Sequence, residues 1–364
     1  MFNNVYNGKT VLVTGHTGFK GSWLSIWLNM MGAKVVGYSL DPYSERGNFE
    51  ACHLHDRLLA DIRGDTRDYE KLNQTIKQYR PEIIFHLAAQ ALVRKAYAHP
   101  KETYETNLMG SLNIMEAVRE NDCVKTVVMI TSDKCYENVE QIWGYKETDR
   151  MGGYDPYSSS KGCTELMISS YRNSYFNPKD YAKHGKAVAS VRAGNVIGGG
   201  DFARDRIIPD CVRAAQAGEP VIVRNPYSTR PYQHVLEPVI AYLMIAQRQY
   251  ENPGLAGWYN VGPDDCDCVT TGDLVDIFCR TWGEGMTWEN RAEVNAPHEA
   301  GFLKLDCSKL KSTFGWRPRW NIQEAVERTV EWTKAWLTKK SIPEMMDGQI
   351  RAFLQEEYHG KVEQ

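Results

Sequence analysis

An α/β fold built on a parallel sheet follows from three observations on the 364-residue sequence. Short apolar runs alternate with amphipathic stretches of helix length through the first half of the chain. A glycine-rich turn closes the first run and opens the first helix. Further on, a tyrosine and a lysine stand four residues apart in a segment of helical spacing. Strands and helices in alternation make right-handed βαβ crossovers, which force neighbouring strands parallel and cover both faces of the sheet.

The elements come in order. TVLVT is apolar and β-branched and predicts a strand, followed by a helix from about Ser22 to Met31. KVVGYSL predicts the second strand, with a helix around Tyr69 to Tyr79 beyond it. EIIFHLAA, a helix around Glu102 to Glu120, and TVVMITS continue the alternation. Past Arg192 the pattern changes. AGNVIGGGDFARDR is rich in glycine and charge, and the strand-like pieces PVIVR and GWYNVG then sit among helices and proline-containing loops. Ile322 to Leu337 reads as a helix with a solvated face. The expectation is a Rossmann-type doubly wound parallel sheet with a smaller mixed α/β substrate-binding domain. Residues 1–190 and about 232–262 are assigned to the sheet domain, and about 191–231 and 263–364 to the substrate-binding region.

Composition excludes some classes of function. Lys and Arg number 43 against 46 Asp and Glu, a net charge of −3, so no global field draws the chain to nucleic acid or anionic lipid. The amino terminus lacks the pattern of a secretory signal, and no window reaches the roughly 18 apolar residues of a membrane helix. A cytoplasmic protein with a small-molecule partner, no nucleic acid and no membrane is expected. Nine scattered cysteines suit a reducing compartment. Cys266-x-Cys268 and His53-x-His55 each lack a second ligand pair, so no metal is expected.

The first motif with chemistry in it is Gly15-His16-Thr17-Gly18-Phe19-Lys20-Gly21. Its glycines permit a tight turn and let backbone N–H groups approach a pyrophosphate. The helix that follows turns its positive end toward that anion. The spacing is G-x-x-G-x-x-G, and a βα turn needing positive φ would read the same way, but its place on the first strand of a βαβ series favours a dinucleotide. An acidic residue about 20 positions on is expected to hold the ribose hydroxyls. Asp41 satisfies that count from Gly21, whereas counting from Gly32 along the strand puts Ser39 there. No arginine directly follows the strand to hold a 2′-phosphate, Arg46 being the nearest, so NAD is expected over NADP.

The second motif is Tyr157-Ser158-Ser159-Ser160-Lys161, in which Pro156 suits a first helical turn and Tyr157 and Lys161 share a face. An ammonium and a nicotinamide cation both favour the phenolate, so Tyr157 could take a proton from a hydroxyl as hydride leaves its carbon. Ser158-x-x-Lys161 also fits the pattern of serine acyl enzymes, and the glycine loop upstream is what decides between them.

With both motifs in this order, the chain resembles the extended short-chain dehydrogenase/reductase family, whose members act on nucleotide sugars. LAAQALVRKAYAHP, with Leu87, Ala88 and Ala89, and TNLMGSLNIMEAVR, with Asn107, are similar to that family's cofactor-side segments. TSDKCYEN, WGYKETDRMGGYDPYSSSKGCTEL, VRAGNVIGGGDFARDRIIPD, RPYQHVLEP and PHEAGFLKLD resemble its 4,6-dehydratases, and the likeness spans nearly the whole chain. The resemblance implies NAD as cofactor and CDP-D-glucose as substrate, in the synthesis of dideoxysugars of lipopolysaccharide O-antigen. It implies Asp133 as the acid at the C6 oxygen, Lys134 as the base at C5, and Ser132 as a donor to the C4 oxygen. Lys134 would have to be neutral at that moment. It also implies Asp65 at the adenine, and Asn195, Arg204, Arg230 and His298 around the nucleotide diphosphate. An epimerase would need hydride transfer but no elimination pair, and a dinucleotide sensor would need neither; Asp133 with Lys134 separates these readings. The family packs two long helices from each subunit together, so a homodimer or homotetramer through 102–120 and 157–175 is expected. A serine at the ribose position would weaken or remove one charge-assisted hydrogen bond, so NAD that dissociates on purification is expected.

Overall fold

The computed structural model describes residues 2–44, 46–292 and 301–355. Seven strands form the central sheet: β1 (Thr10–Thr14), β2 (Lys34–Ser39), β3 (Ala60–Arg63), β4 (Ile83–His86), β5 (Thr126–Ile130), β6 (Ala187–Ala193) and β7 (Trp258–Val261). Their order is β7-β6-β5-β4-β1-β2-β3, with every neighbouring pair parallel. Val11 lies between Val35 on one side and Ile83 on the other, which sets the register at the centre. Every residue of β4, β5 and β6 is buried. A strand covered on both faces needs apolar residues without alternation, which is why β4 and β5 read so clearly in the sequence.

The helices that matter for the site are α1 (Phe19–Met30), α2 (Tyr69–Tyr79), α3 (Pro100–Tyr104), α4 (Gly110–Glu120) and α5 (Pro156–Ser174). Those past β6 are α6 (Ile207–Ala217), α7 (Leu236–Glu251), α8 (Thr271–Trp282), α9 (Ile322–Leu337) and α10 (Ile342–Gln355). Asp155 caps α5 by accepting from the Tyr157 and Ser158 N–H groups at 2.9 and 3.0 Å, so the helix starts where Tyr157 needs it. α7 packs on β5 and β6, and β7 follows it into the main sheet. A second apolar core gathers Ile208, Val212, Leu274, Phe278 and Val326 from α6, α8 and α9. Short pairs of strands border it, Val221–Val223 with Trp288–Asn290 and Thr229–Arg230 with Val269–Thr270. No helix among the described residues is long and apolar enough to cross a membrane.

Three features depart from the sequence expectation, and the unanticipated β6, whose Ser190 and Arg192 interrupt its apolar run, is the first. β3 was not anticipated, because ADIR is polar at alternate positions and half-buried throughout at the sheet edge. The helix expected over Glu102 to Glu120 is interrupted by a π-helical turn at Glu105–Met109. Such turns are uncommon and frequent at functional sites, and this one carries Asn107. Asn107 Oδ1 accepts from Gln90 N at 2.8 Å, and its Nδ2 donates to Gln90 O at 3.0 Å and Ser160 Oγ at 2.9 Å.

A buried ion pair ties α5 to the sheet. Glu165 Oε2 accepts from Arg192 Nη2 on β6 at 2.8 Å and from Ser190 Oγ at 2.9 Å, while Glu165 Oε1 accepts from Thr131 Oγ1 at 2.5 Å. Arg192 donates onward to Tyr136 OH at 2.8 Å, and Tyr136 donates to Asn260 Oδ1 on β7 at 2.7 Å. Burial would raise the Glu165 carboxyl, but Arg192 and these donors more than offset it and hold the group below its ordinary value. Removing one partner strands the other charge in the interior. Arg192→Met is therefore expected to lower the unfolding free energy by about 3–5 kcal/mol, as measured by urea denaturation, with Glu165→Gln, Arg192→Met together recovering part of the loss.

Candidate active site

β1 and β4 are adjacent, yet the chain leaves them in opposite directions across the sheet. The crevice beyond their carboxyl ends is where open α/β sheets bind ligands. Gly15 follows β1 at φ +76°, and a Cβ there would sit 2.8 Å from Ala88 N in the segment after β4. A Cβ on Gly21 would meet Gly15 O at 2.1 Å. The loop is thus packed as tightly as backbone allows. α1 begins at Gly18 with no side-chain cap and no acidic residue in its first turn. Its N-terminal dipole is left for an external anion, so the residues present fit a dinucleotide pyrophosphate.

Around this loop the residues singled out from the sequence take different places. The His16 ring is buried against β2 and β3, with Nε2 2.8 Å from Asp61 Oδ1 and Gly37 beneath it. Burial holds His16 below its ordinary pKa despite Asp61. Leu87, Ala88 and Ala89 follow β4 half-buried, and Ala88 N donates to Thr14 Oγ1 at 3.3 Å. Ser39 ends β2, buried, and shares a 2.8 Å hydrogen bond with Thr17. Asp41 is exposed and faces Arg63 Nε at 3.3 Å. Asp65 is held by Arg67 at 2.9 and 2.6 Å, and chiefly those hydrogen bonds keep its carboxyl below the usual range.

Beside the crevice opens a cavity of about 540 Å³, lined by Lys20, Ser132, Asp133, Lys134, Tyr157, Asn195 and Arg230, among others. Ser132 and Asp133 stand just past β5, on a turn that Ser132 caps by accepting from Lys134 N at 3.2 Å. Ser132 Oγ donates to Asp133 Oδ1 at 2.9 Å. Asp133 is 3% exposed and its Oδ2 has no hydrogen-bond partner among the described residues. Burial raises its carboxyl above the ordinary value, against the pull of Lys134 and Ser132. A carboxyl held toward its protonated form beside a cavity, with one oxygen unspent among the described residues, is equipped to deliver a proton.

Burial pushes Tyr157 up to about 12. Lys161, one turn further along α5, is buried behind the cavity and brought down to about 8, burial outweighing Glu165. Lys20 belongs to the cavity as well as to the glycine loop. Burial first, then repulsion from Arg206 and Lys161, lowers it to about 8, and among the described residues its ammonium makes no hydrogen bond or ion pair.

The cations at the outer end differ from those expected. Arg230 and Asn195 line the cavity, but Arg204 is exposed and does not. Arg206 does, two residues on, oriented by Asp201 at 2.8 Å. Arg224, 3.1 Å from Asp205, and Arg94 join it. The segment GGGDFARDR holds both Arg204 and Arg206, and only the turn into α6 selects between them. His298 lies outside the described residues. Among those residues no group of three His, Cys, Asp or Glu side chains could hold a metal ion.

Comparison with known proteins gives consistent relatives. Residues 12–329 match the family model described as GDP-mannose 4,6 dehydratase. The chain is similar to the CDP-glucose 4,6-dehydratase of Salmonella typhimurium, 53% identical over 335 residues that cover 92% of this chain and 93% of that protein. It is 24% identical to the dTDP-glucose 4,6-dehydratase of Xanthomonas campestris, across 94% of this chain and 97% of the other. The solved UDP-glucose 4-epimerase of Thermus thermophilus in complex with NAD superposes at a TM-score of 0.76 with 26% identity, covering 89% and 99% of the two chains. The dTDP-glucose 4,6-dehydratase of Bacillus anthracis in complex with NAD gives 0.73 with 20% identity over 90% and 97%, a likeness of fold.

The buried lysine sets a dependence of stability on pH. Below about pH 8 the folded protein carries Lys161 charged at a cost, whereas between about 8 and its ordinary 10.5 the folded state has lost a proton that the unfolded state keeps. Stability attributable to this group therefore rises with pH through that window. Lys161→Met is expected to stabilise the fold at pH 7 by up to roughly 3 kcal/mol, and the gain, followed by chemical denaturation, should shrink as pH rises from 8 towards 10.

Proposed function

The chain belongs to the GDP-mannose 4,6-dehydratase family, and from that membership we propose that it converts CDP-D-glucose to CDP-4-dehydro-6-deoxy-D-glucose with NAD as cofactor. One observation carries the reading: Asp133, buried with a carboxyl oxygen unpartnered among the described residues, and Lys134 beside it line the cavity that Tyr157 also lines. A hydride-transfer enzyme that only oxidises or epimerises its sugar has no use for such a pair. An enzyme that must also expel a hydroxyl has.

The glycine loop from Gly15 to Gly21 would hold the pyrophosphate of NAD, with Asp65, Leu87 to Ala89 and Asn107 along the rest of the cofactor. Held there, NAD would supply the chemistry of reversible hydride transfer, from C4 of the sugar and back at C6. Tyr157 removes the proton of the C4 hydroxyl, and Lys161 and Ser132 stabilise the oxygen left behind. The C4 ketone makes the C5 proton acidic, so Lys134 can remove it while Asp133 protonates the C6 oxygen and water departs. Lys134 then gives a proton back to C5 as C6 becomes a methyl group.

Arg206, Arg224 and Arg230 are suited to the diphosphate, because forked guanidinium donors match phosphate oxygens. The choice of cytosine rests on the 53% identity to the Salmonella enzyme. Helix α5 carries exposed Leu166 and half-buried Met167, apolar surface that a homodimer or a dimer of dimers through α4 and α5 would cover. A single-chain mass in sedimentation at micromolar concentration would overturn that assembly.

Incubation with NAD and CDP-D-glucose should lower the mass of the sugar nucleotide by about 18, one water, whereas UDP- and dTDP-glucose stay unchanged. Asp133→Asn and Lys134→Met should each slow that loss by roughly 10²- to 10⁴-fold, the usual worth of a positioned acid or base. An isomer of unchanged mass would identify an epimerase instead.

A further inference from the structure

β4 contains a residue for which the chemistry above has no use. Ile83, Ile84 and Phe85 suit a strand covered on both faces, but the residue that follows them is His86, 2% exposed. Burying an imidazole is costly unless its ring nitrogens find partners. Both do. His86 Nδ1 lies 2.7 Å from Thr14 Oγ1, at the end of β1, and Nε2 lies 3.0 Å from Ser111 Oγ, in the first turn of α4. Thr14 and His86 are register partners on adjacent strands, so their side chains meet on one face of the sheet.

The neighbouring hydrogen bonds fix which way this chain runs. Ser111 Oγ donates to the carbonyl of Asn107 at 2.6 Å, so toward His86 it can only accept, and Nε2 carries the imidazole proton. Burial first, then repulsion from Lys161, lowers His86 to about 3, so the ring holds a single proton at neutral pH. Nδ1 is therefore the acceptor for the hydroxyl of Thr14, and Thr14 Oγ1 in turn accepts from Ala88 N at 3.3 Å. From the Ala88 N–H to the Asn107 carbonyl, every donor meets an acceptor in one consistent order. At the far end Asn107 Nδ2 donates to Ser160 Oγ at 2.9 Å, and Ser160 Oγ donates to the Tyr157 carbonyl at 2.7 Å. Thr164 Oγ1, also on α5, reaches the same Asn107 carbonyl at 3.1 Å.

The chain joins two parts of the protein that the proposed reaction has to bring together. On one side is the turn from Thr14 to Gly15, packed so closely that a Cβ on Gly15 would sit 2.8 Å from Ala88 N. On the other is the π turn that supports α5, the helix of Tyr157 and Lys161. The first would hold the cofactor and the second the phenol, and a misplacement of about 1 Å between reacting groups can cost roughly 10²-fold in rate. We propose that His86 is a positioning residue for hydride transfer, its imidazole setting the spacing between the glycine turn and the π turn so that a cofactor held by the first meets Tyr157 in register. This inference rests on the NAD-dependent dehydratase reading. Glu165 fastens α5 to Thr131 and β6 from behind; His86 supplies the corresponding tie on the cofactor's side.

The test uses two variants and two kinds of readout. His86→Phe keeps the bulk of the ring and removes both bonds, whereas Ser111→Ala, a gentler change, unties only the π turn. NADH affinity is read by its fluorescence and CDP affinity by calorimetry. His86→Phe should weaken NADH at least about threefold and leave CDP within about twofold, because the cost is lost preorganisation at the cofactor turn and the arginines suited to the diphosphate stand outside this chain. In NAD-loaded protein a single turnover of CDP-D-glucose, followed as water loss by quenched-flow mass spectrometry, should slow at least about tenfold. Deuterium at C4 of the sugar should then slow the variant more than it slows the natural protein. Ser111→Ala should move both readouts in the same direction, and it decides alone if His86→Phe does not fold. His86→Gln, whose amide can still donate to Ser111, should recover part of the loss. NADH affinity or the isotope effect unchanged in the folded variants would overturn the proposal, as would NADH and CDP weakened together, the mark of a general loosening. Natural protein that released no water would defeat the dehydratase reading instead, an outcome distinct from these.

Discussion

The contact on which the site depends lies behind it, between Glu165 and Arg192. Glu165 stands one turn after Lys161 on α5, so it shares that residue's face of the helix. Its carboxylate collects Thr131 from the end of β5 and both Ser190 and Arg192 from β6. The segment that carries Ser132 and Asp133 and the helix that carries Tyr157 and Lys161 are thereby fastened to one group. A buried ion pair of this kind is poor evidence of stability for its own sake, since well-packed apolar residues often serve as well. Its use here is geometric: it fixes the distance between two cavity-lining segments that are remote in sequence and come from different kinds of element.

The same burial that makes those residues useful makes them costly. Desolvation raises Asp133 and Tyr157 and lowers Lys161 and Lys20, each toward its neutral form. In a wet, open site the carboxyl would be spent as a carboxylate and the amine as an ammonium. Crowding them together out of water brings their acidities into a common range, where small movements of charge shift protons among them. Arg192 and the donors on Glu165 keep that carboxylate charged nearby, so the site holds a fixed negative charge behind Lys161 and groups of adjustable charge in front.

How much of this was visible in the sequence depended on the kind of signal. Strands buried on both faces left continuous apolar runs, and β1, β4 and β5 were placed within a few residues. β3 left none, because an edge strand of ADIR needs only half of its surface covered. α2 and α9 matched their expected ends, whereas the π turn around Asn107 is set by tertiary hydrogen bonds that no periodicity carries. Within the site, the motif residues with fixed spacing were legible: Gly15, Gly18, Gly21, Tyr157 and Lys161. Arg206 was hidden beside Arg204, and Lys20 was read as a cofactor residue alone, since membership of one loop says nothing about the cavity on its other side. The ribose position is likewise a matter of direction: Ser39 turns its hydroxyl to Thr17, and Asp41, beyond the strand end, faces Arg63.

A reaction that borrows its hydride and gives it back places an unusual demand on a protein. An ordinary dehydrogenase trades cofactor and product with solvent at every turn, and protons can leave by the same door. A site that keeps its cofactor has to return every other borrowed particle to its starting place as well, and each return needs a path. Ser132, Asp133 and Lys134 lie close together on one turn past β5, so the donor, acid and base proposed above share a backbone and stay in mutual reach. Tyr157 lines the same cavity from α5, and Glu165, through Thr131, keeps that turn and that helix in register. On the proposed roles, the acid and base of the elimination belong at this strand end and not on a separate loop, because only the strand end is held in register with α5 by Glu165.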